Sequence, residues 1–160
     1  MGEMRGLSLT QPWAQLVAIG AKRIETRSWS TRWRGLLAIH AAKGYPADAR
    51  AFRASRWATA ALDEAGITSH DDLPLGAIVV VAPLVDCRLT GTELVTARWV
   101  LDLVGQELAF GDYSPRRFGW FLEDVRRLAE PVPCRGALGL WELPPDVMEG
   151  IERQLAARAS

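Results

Sequence analysis

The segment that most restricts the fold is the apolar, valine-rich run Leu75–Leu84. Its length and composition predict a strand buried on both faces. It is far shorter than the roughly 20 residues that a bilayer-spanning helix needs. Further strands are predicted from short apolar or alternating segments at Arg5–Leu9, Ile24–Trp29, Leu36–Ala41, Phe118–Glu123 and Ala137–Leu143.

Four helices are predicted between and after these strands. The first begins near Pro12 and ends at Gly20, and the others cover Pro46–Ala65, Thr90–Val104 and Pro145–Ala159. Thr90 and Glu93 have the spacing of a capping box, and Gly105 is expected to end that helix. Because strands and helices do not alternate regularly, an α+β fold is expected, with a mostly antiparallel sheet that could close into a barrel.

Length and composition favour one ordinary globular domain over residues 1–160, with the helix of residues 145–160 packed on it. The N-terminus, Met1–Leu9, lacks the layout of a signal peptide, and two cysteines are too few for a disulfide framework. A cytoplasmic protein that does not bind membranes is therefore expected. No two metal-ligating residues have C-x-x-C spacing, so neither a metal nor another cofactor is predicted.

Positive charge is concentrated in one part of a chain whose formal net charge is zero. The stretch from Gly20 to Tyr45 carries a net charge of +5, since Glu25 is its single acid. Its basic residues are Lys22, Arg23, Arg27, Arg32, Arg34 and Lys43. This distribution favours a surface that receives a polyanion.

Within this stretch, residues 20–27 combine two cations and an acid where a helix end passes into a strand. Glu25, Arg27 and Trp29 share one strand face by alternation, whereas Thr26 is expected on the opposite face. Lys22 lies in the preceding turn and is expected on the same surface. Cations beside aromatic rings are typical of single-stranded nucleic-acid sites. The alternative is an exposed ion pair worth less than about 1 kcal/mol, without a function.

Other residues leave the choice between binding and catalysis open. Metal-free RNA cleavage would need a base such as Glu25 or His40, and a proton donor such as Tyr45 or Ser114. His40 lies in an apolar strand, where a core role is the more common outcome. Ser114 lies in a glycine- and proline-bounded loop that turn chemistry explains equally well.

The sequence resembles the ASCH family (activating signal cointegrator homology), whose hallmark is G-x-K-x-x-E-x-R. The hallmark positions are matched by Gly20, Lys22, Glu25 and Arg27. Further matches to the cointegrator-type branch occur in order at Ser8–Ala14, Arg27–Trp29, Arg34–Gly35, Ala41–Lys43, Leu84–Cys87 and Gly139–Trp141.

The resemblance implies a PUA-like, mixed but mostly antiparallel β-barrel with flanking helices and a cleft beside the hallmark. It implies binding of RNA or DNA, and in some members of modified bases. One branch resembles an amidohydrolase of acetylated cytidine that uses a lysine and a threonine. Lys22 matches that lysine, but Glu25 occupies the threonine's position, so this chemistry is not expected here.

The predicted function is binding of single-stranded RNA, DNA, a modified base or a nucleotide in a cationic cleft. The alternative is a metal-independent ribonuclease or a hydrolase of a modified nucleoside, with Lys22 and Glu25 as its catalytic residues. The predicted nucleic-acid-binding residues are Gln11, Lys22, Glu25, Arg27, Trp29, Arg34, Lys43 and Ser114.

Overall fold

The structure, a computed structural model, describes residues 3–159. Its strands are β1 (Met4–Leu9), β2 (Ile24–Arg27), β3 (Gly35–Ala41), β4 (Ala77–Leu89), β5 (Phe118–Leu122), β6 (Arg126–Pro133) and β7 (Trp141–Glu142). Its α-helices are α1 (Trp13–Ala18), α2 (Ala47–Arg53), α3 (Arg56–Glu64), α4 (Arg98–Leu101), α5 (Gly105–Ala109) and α6 (Pro145–Ala159). A short 3-10 helix covers His70–Asp72. This is the α+β class that the pattern predicts.

The predicted apolar strand is the centre of the sheet. β4 pairs antiparallel with β3, β5 and β6, and its first half is buried. The strand continues beyond the predicted end to Leu89, because its exposed second half still pairs with β5. The sheet order is β2-β5-β4-β3-β1-β7, with β6 also on β4. Within residues 3–159 no pairing joins β2 to β7, so the expected closed barrel is an open, seven-stranded sheet.

β1 and β3 run parallel, which brings their carboxyl ends to the same edge of the sheet. Leu9 lies opposite Ala41 at these ends, and Ala42 N donates to Leu9 O. The chain enters α1 after β1 and the loop before α2 after β3. The residues that follow both strands therefore lie close together.

The helix predicted over Pro46–Ala65 is two helices. α2 ends at Arg53, and α3 begins after Ser55, whose Oγ accepts a hydrogen bond from Ala58 N. Serine is a preferred N-cap because its oxygen satisfies a free N–H of the first turn. The alanine-rich pattern continues across the break and conceals it.

The prediction of a helix over Thr90–Val104 is wrong for most of that segment. Gly91 and Thr96 form an antiparallel bridge, and only Arg98–Leu101 is α-helical. The buried Thr90 hydroxyl donates to Ser114 O at 2.8 Å and does not cap a helix. Gly105, expected to end a helix, begins α5.

The last part of the sheet also differs from the prediction. β6 is not anticipated, since Pro131 and Pro133 argue against a strand, yet a strand paired on one side only tolerates proline. The strand predicted over Ala137–Leu143 is reduced to β7, Trp141–Glu142.

The terminal helix α6 spans Pro145–Ala159 as predicted and buries Val147, Ile151 and Leu155. These side chains pack with β-strand residues such as Met4 and Ile78. Ser160, in the predicted terminal unit, and residues 1–2 lie outside the described residues. Among the helices of the described chain, none is long and apolar enough to cross a membrane.

Candidate functional site

The hallmark segment forms an edge strand whose free side is closed by side chains. β2 pairs with β5, and alternate residues of an antiparallel strand turn their N–H and C=O groups away from the partner. In β2 these residues are Ile24 and Thr26. Ile24 N donates to Glu107 Oε1 at 2.8 Å, and Ile24 O accepts from Lys22 Nζ at 2.6 Å.

The outward groups of Thr26 are satisfied in the same way. Thr26 N donates to Glu25 Oε1 at 3.1 Å, and Thr26 O accepts from Arg117 Nη2 at 3.2 Å. Charged side chains thus occupy the positions that a neighbouring strand would take. This arrangement protects the edge from pairing with another strand, so a ligand is not bound here by β-strand addition.

Lys22 is fully buried, at 0% exposure, which contradicts its predicted place on the surface. The turn after α1 directs it inward, since Lys22 N donates to Leu16 O at 3.0 Å. Its ammonium donates to the carbonyls of Ile24 and Phe110 at 2.6 and 3.0 Å. Burial lowers the pKa of Lys22, and the nearby Glu25 opposes that shift. Lys22 therefore cannot touch a phosphate at the surface.

Glu25 lies between the two hallmark cations. Its Oε1 is 3.6 Å from Lys22 Nζ, and its Oε2 is 3.0 Å from Arg27 Nε. Arg27 Nη2 also donates to Ser8 O at 2.6 Å, which ties the pair to β1. The Glu25 side chain is only 11% exposed, whereas that of Arg27 is 25% exposed. Glu25 is therefore a rigidly held carboxylate, and Arg27 reaches the surface beside it.

A cavity of about 360 Å³ opens above Glu25, and we call it the Glu25 cavity. Its lining comes from the end of β1, from the middle of β2, from α1, α2 and α5, and from the loop after α5. The lining residues are Leu9, Thr10, Trp13, Glu25, Thr26, Phe52, Ala109, Phe110, Gly111 and Asp112. Of these described residues, none is lysine or arginine, so the cavity beside the hallmark is acidic and aromatic, not cationic as expected.

Thr26 and Glu25 both line this cavity, although strand alternation predicts opposite faces. The difference arises because the Glu25 carboxylate folds back around the strand edge to the Thr26 N–H. The Thr26 hydroxyl accepts a hydrogen bond from Asp112 N at 2.9 Å. The cavity therefore presents a hydroxyl next to a carboxylate.

Ser114 supports the cavity wall instead of facing it. Its backbone N–H and hydroxyl donate to Asp112 Oδ1 at 3.1 and 2.7 Å. These bonds lower the pKa of Asp112, because they stabilise the charged carboxylate. Arg117 Nε lies 3.4 Å from Asp112 Oδ2 and also donates to Asp112 O at 3.1 Å. Arg117 thus joins Arg27 as a cation beside the cavity.

Two other predicted site residues have structural contacts. Gln11 is fully buried, with Nε2 donating to Pro74 O and Oε1 accepting from Gln15 N, both at 2.9 Å. Trp29 packs edge-on against Trp120 with ring centroids 4.7 Å apart. It is half-buried against the core and does not line the Glu25 cavity.

The remaining cations of the +5 stretch do not converge on Glu25. Arg34 is exposed, donates to Thr31 O and Trp33 O at 2.9 Å, and lies 3.8 Å from Asp86. Lys43 is exposed and lines a different cleft. The structure therefore divides the cationic stretch among several surfaces.

Glu25 lines the cavity, but the other suggested base, His40, and the suggested proton donors Tyr45 and Ser114 lie outside its lining. His40 is buried and contacts Ser8 Oγ and Cys134 O. The Tyr45 hydroxyl is 2.6 Å from His70 Nδ1. Among residues 3–159, no group of three or more His, Cys, Asp and Glu side chains could hold a metal ion.

Sequence reasoning missed the aromatic wall of the cavity. Trp13 packs against the core, and its ring also stacks on Phe52 with the ring centroids 4.6 Å apart and the planes at 17°. Both residues line the cavity. The signal available was the position of Trp13 in the Q-P-W-A segment. Asp112 and Arg117 could not be found from spacing, because they lie more than 80 residues from Glu25 along the chain.

Comparison with known proteins places the chain in a family. The sequence profile of the ASCH domain matches residues 7–130, and the chain belongs to the ASCH domain family. It is 27% identical over 151 residues to activating signal cointegrator 1 of Homo sapiens and 26% identical to that of Mus musculus. These alignments cover 93% of this chain and 24% of each relative, so the chain spans about a quarter of their length.

Solved structures share the fold at low sequence identity. The ASCH protein of Zymomonas mobilis superposes with a TM-score of 0.57 at 13% identity, covering 94% of each chain. A tyrosine-to-phenylalanine variant of that protein gives the same TM-score and covers 95% of this chain and 98% of its own. These likenesses support the fold alone.

Proposed function

We propose that the chain binds single-stranded nucleic acid, in the first place RNA, by taking one unstacked base into the Glu25 cavity. Membership of the ASCH family supports nucleic-acid binding. The observation that carries the proposal is the cavity itself, which combines stacked aromatic rings with a fixed carboxylate.

The aromatic wall favours a base over other ligands. Trp13, Phe52 and Phe110 line a cavity of about 360 Å³, which lies in the range of small-molecule sites. Bases of a single strand can leave the stack and pack on such rings, whereas bases in a duplex are already stacked and paired. Because the cavity takes an unstacked base, the ligand is expected to be single-stranded.

The polar groups of the Glu25 cavity determine the orientation of the bound base. An ionised carboxylate accepts hydrogen bonds and has about four lone-pair sites. Glu25 uses one of them for Thr26 N and forms an ion pair with Arg27, which leaves acceptor capacity towards the cavity. The amino groups of cytosine, adenine or guanine supply the matching donors. The carboxylates of Glu25 and Asp112 repel phosphate. The nucleic-acid backbone would therefore lie at the rim of the cavity, beside Arg27 and Arg117.

Removing one aromatic ring tests this proposal. We expect Phe52→Ala to weaken binding of single-stranded RNA by about tenfold or more, because base stacking on an aromatic side chain contributes roughly 1–3 kcal/mol. Trp57→Ala is the matched control, since Trp57 is an exposed aromatic residue of α3 outside the cavity. Fluorescence anisotropy of labelled RNA measures both variants. Equal binding by both would contradict the proposal.

A hydrolase of a modified nucleoside is a second candidate, favoured by one observation. The Thr26 hydroxyl and the Glu25 carboxylate line the same cavity, so the site contains a hydroxyl that could act as a nucleophile and a carboxylate that could act as a base. Lys22, however, directs its ammonium to two backbone carbonyls. Product analysis after incubation with acetylated cytidine or RNA separates binding from hydrolysis, and the binding proposal requires both compounds to be recovered intact.

A further inference from the structure

A second cleft, of about 650 Å³, lies beside β3 and has the opposite charge character to the Glu25 cavity. Its lining includes His40, Lys43, Leu75, Cys134 and Arg135, and contains no carboxylate. We call it the Lys43 cleft.

The two cations of this cleft are not engaged elsewhere in the protein. Lys43 and Arg135 are exposed, and the described residues 3–159 provide neither side chain with a hydrogen bond or an ion pair. Arg27, Arg34 and Arg117, by contrast, all contact carboxylates or carbonyls. Unpaired cations that face a cleft with no carboxylate in its lining provide a site for an anion.

The walls of the Lys43 cleft are held in place by a buried histidine. His40 Nε2 lies 2.7 Å from Cys134 O, and His40 Nδ1 lies 3.0 Å from Ser8 Oγ. Burial lowers the pKa of His40, which favours a neutral ring that accepts from one partner and donates to the other. A Cβ on Gly136 would approach the His40 ring to 2.7 Å, so the loop carrying Arg135 packs directly on it.

The Lys43 cleft and the Glu25 cavity adjoin the same edge of the sheet. Leu9 and Thr10, at the end of β1, line the cavity, and His40 and Lys43, at the end of β3, line the cleft. These parallel strands are hydrogen-bonded neighbours. Gln11 also bonds Pro74 O, one residue before the cleft-lining Leu75.

We propose that the Lys43 cleft binds the phosphodiester backbone of the strand whose base occupies the Glu25 cavity. This inference rests on the proposed function. The two sites then bind different parts of the strand: the acidic, aromatic Glu25 cavity binds a base, and the cationic Lys43 cleft beside β3 binds phosphate. A dinucleotide would use mainly the cavity, whereas a strand of about eight nucleotides, within the ~4–16 nucleotides that single OB-fold domains bind, would reach the cleft.

The test compares two ligand lengths with the double variant Lys43→Gln/Arg135→Gln. We expect the double variant to bind an RNA of about eight nucleotides about tenfold more weakly and to bind the dinucleotide as the unaltered protein does. Each phosphate contact on a single strand contributes about 0.7 to the salt dependence, so the slope of log affinity against log salt should become shallower by about 1.4. Arg126→Gln/Arg127→Gln removes the same charge from exposed residues of β6 and is the control.

The outcomes separate this inference from the proposed function. An unchanged affinity of Lys43→Gln/Arg135→Gln for the longer RNA, or an equal loss in the β6 control, would refute the cleft. In another outcome, Phe52→Ala binds both the dinucleotide and the longer RNA normally while only Lys43→Gln/Arg135→Gln loses affinity for the longer RNA. That result would support the phosphate site in the Lys43 cleft and refute the base site in the Glu25 cavity.

Discussion

Replacing Lys22 by methionine is expected to lower the free energy of unfolding by about 3 kcal/mol, because two buried carbonyls lose their donor. Each unsatisfied buried group costs roughly 1–3 kcal/mol, and relief of the lysine's own desolvation offsets part of the sum. Methionine has a similar length, so the cavity term is small. Urea denaturation measures the change.

Lys43→Met is the matched control for Lys22→Met. Lys43 is exposed and unpaired, so its replacement should change stability by less than about 0.5 kcal/mol. Equal stability of the two variants would contradict the assignment of Lys22 to the interior. Lys22→Arg should also destabilise, because a larger guanidinium must fit a site with 0% exposure. A lysine that only contacted phosphate would tolerate that change.

The pH dependence of stability gives a second readout for Lys22. Its folded pKa is lowered from 10.5, so the unfolded state holds the proton to higher pH than the folded state. Stability from this group therefore rises as pH increases from the lowered pKa towards 10.5. Lys22→Met lacks this contribution. The stability advantage of the unaltered protein over the variant should widen as pH rises from the lowered pKa towards 10.5.

Replacing Glu25 by glutamine is expected to weaken RNA binding by roughly 10–100-fold. A hydrogen bond from a base amino group to a carboxylate is worth about 1.5–3 kcal/mol. Glutamine also presents an NH₂ donor, which cannot accept a hydrogen bond from the amino group of the base. The largest loss should occur with bases that carry an amino group, and the smallest with uracil. Anisotropy titrations with homopolymeric RNAs measure this difference.

The control for Glu25→Gln must separate ligand contacts from folding. Glu25 also neighbours Lys22 and Arg27, so denaturation of the same variant shows how much stability is lost. Glu130→Gln changes an exposed carboxylate of β6 and should preserve both properties. A folded Glu25→Gln variant that binds every homopolymer normally would remove Glu25 from the base contact.

The hydrophobic pattern of the sequence correctly predicted those helices and strands along which the pattern continues without a break. The terminal helix Pro145–Ala159 and the central strand through Leu84 are examples, since burial fixes their periodicity. The break at Ser55 was hidden because alanine supports the same stripe on both sides. β6 was hidden by its prolines, which a one-sided strand accommodates.

The hallmark could be located from the sequence, but its geometry could not. Lysine is almost never fully buried unless it has partners, and the partners of Lys22 include Phe110 O, which lies 88 residues away. Strand alternation placed Thr26 opposite Glu25, whereas a side chain that folds around an edge reaches the other face. The division of the cationic stretch among several surfaces depends on which loops meet, and composition does not determine that.

The central claim is tested most directly by titrating the unaltered protein with a labelled RNA of about eight nucleotides, single-stranded in one arm and annealed to its complement in the other. The account predicts saturable binding of the single strand that weakens steeply between about 50 and 200 mM salt, weaker binding of the duplex, and RNA recovered at full length. Binding of the duplex as tightly as the single strand, or affinity unchanged by salt, would contradict it.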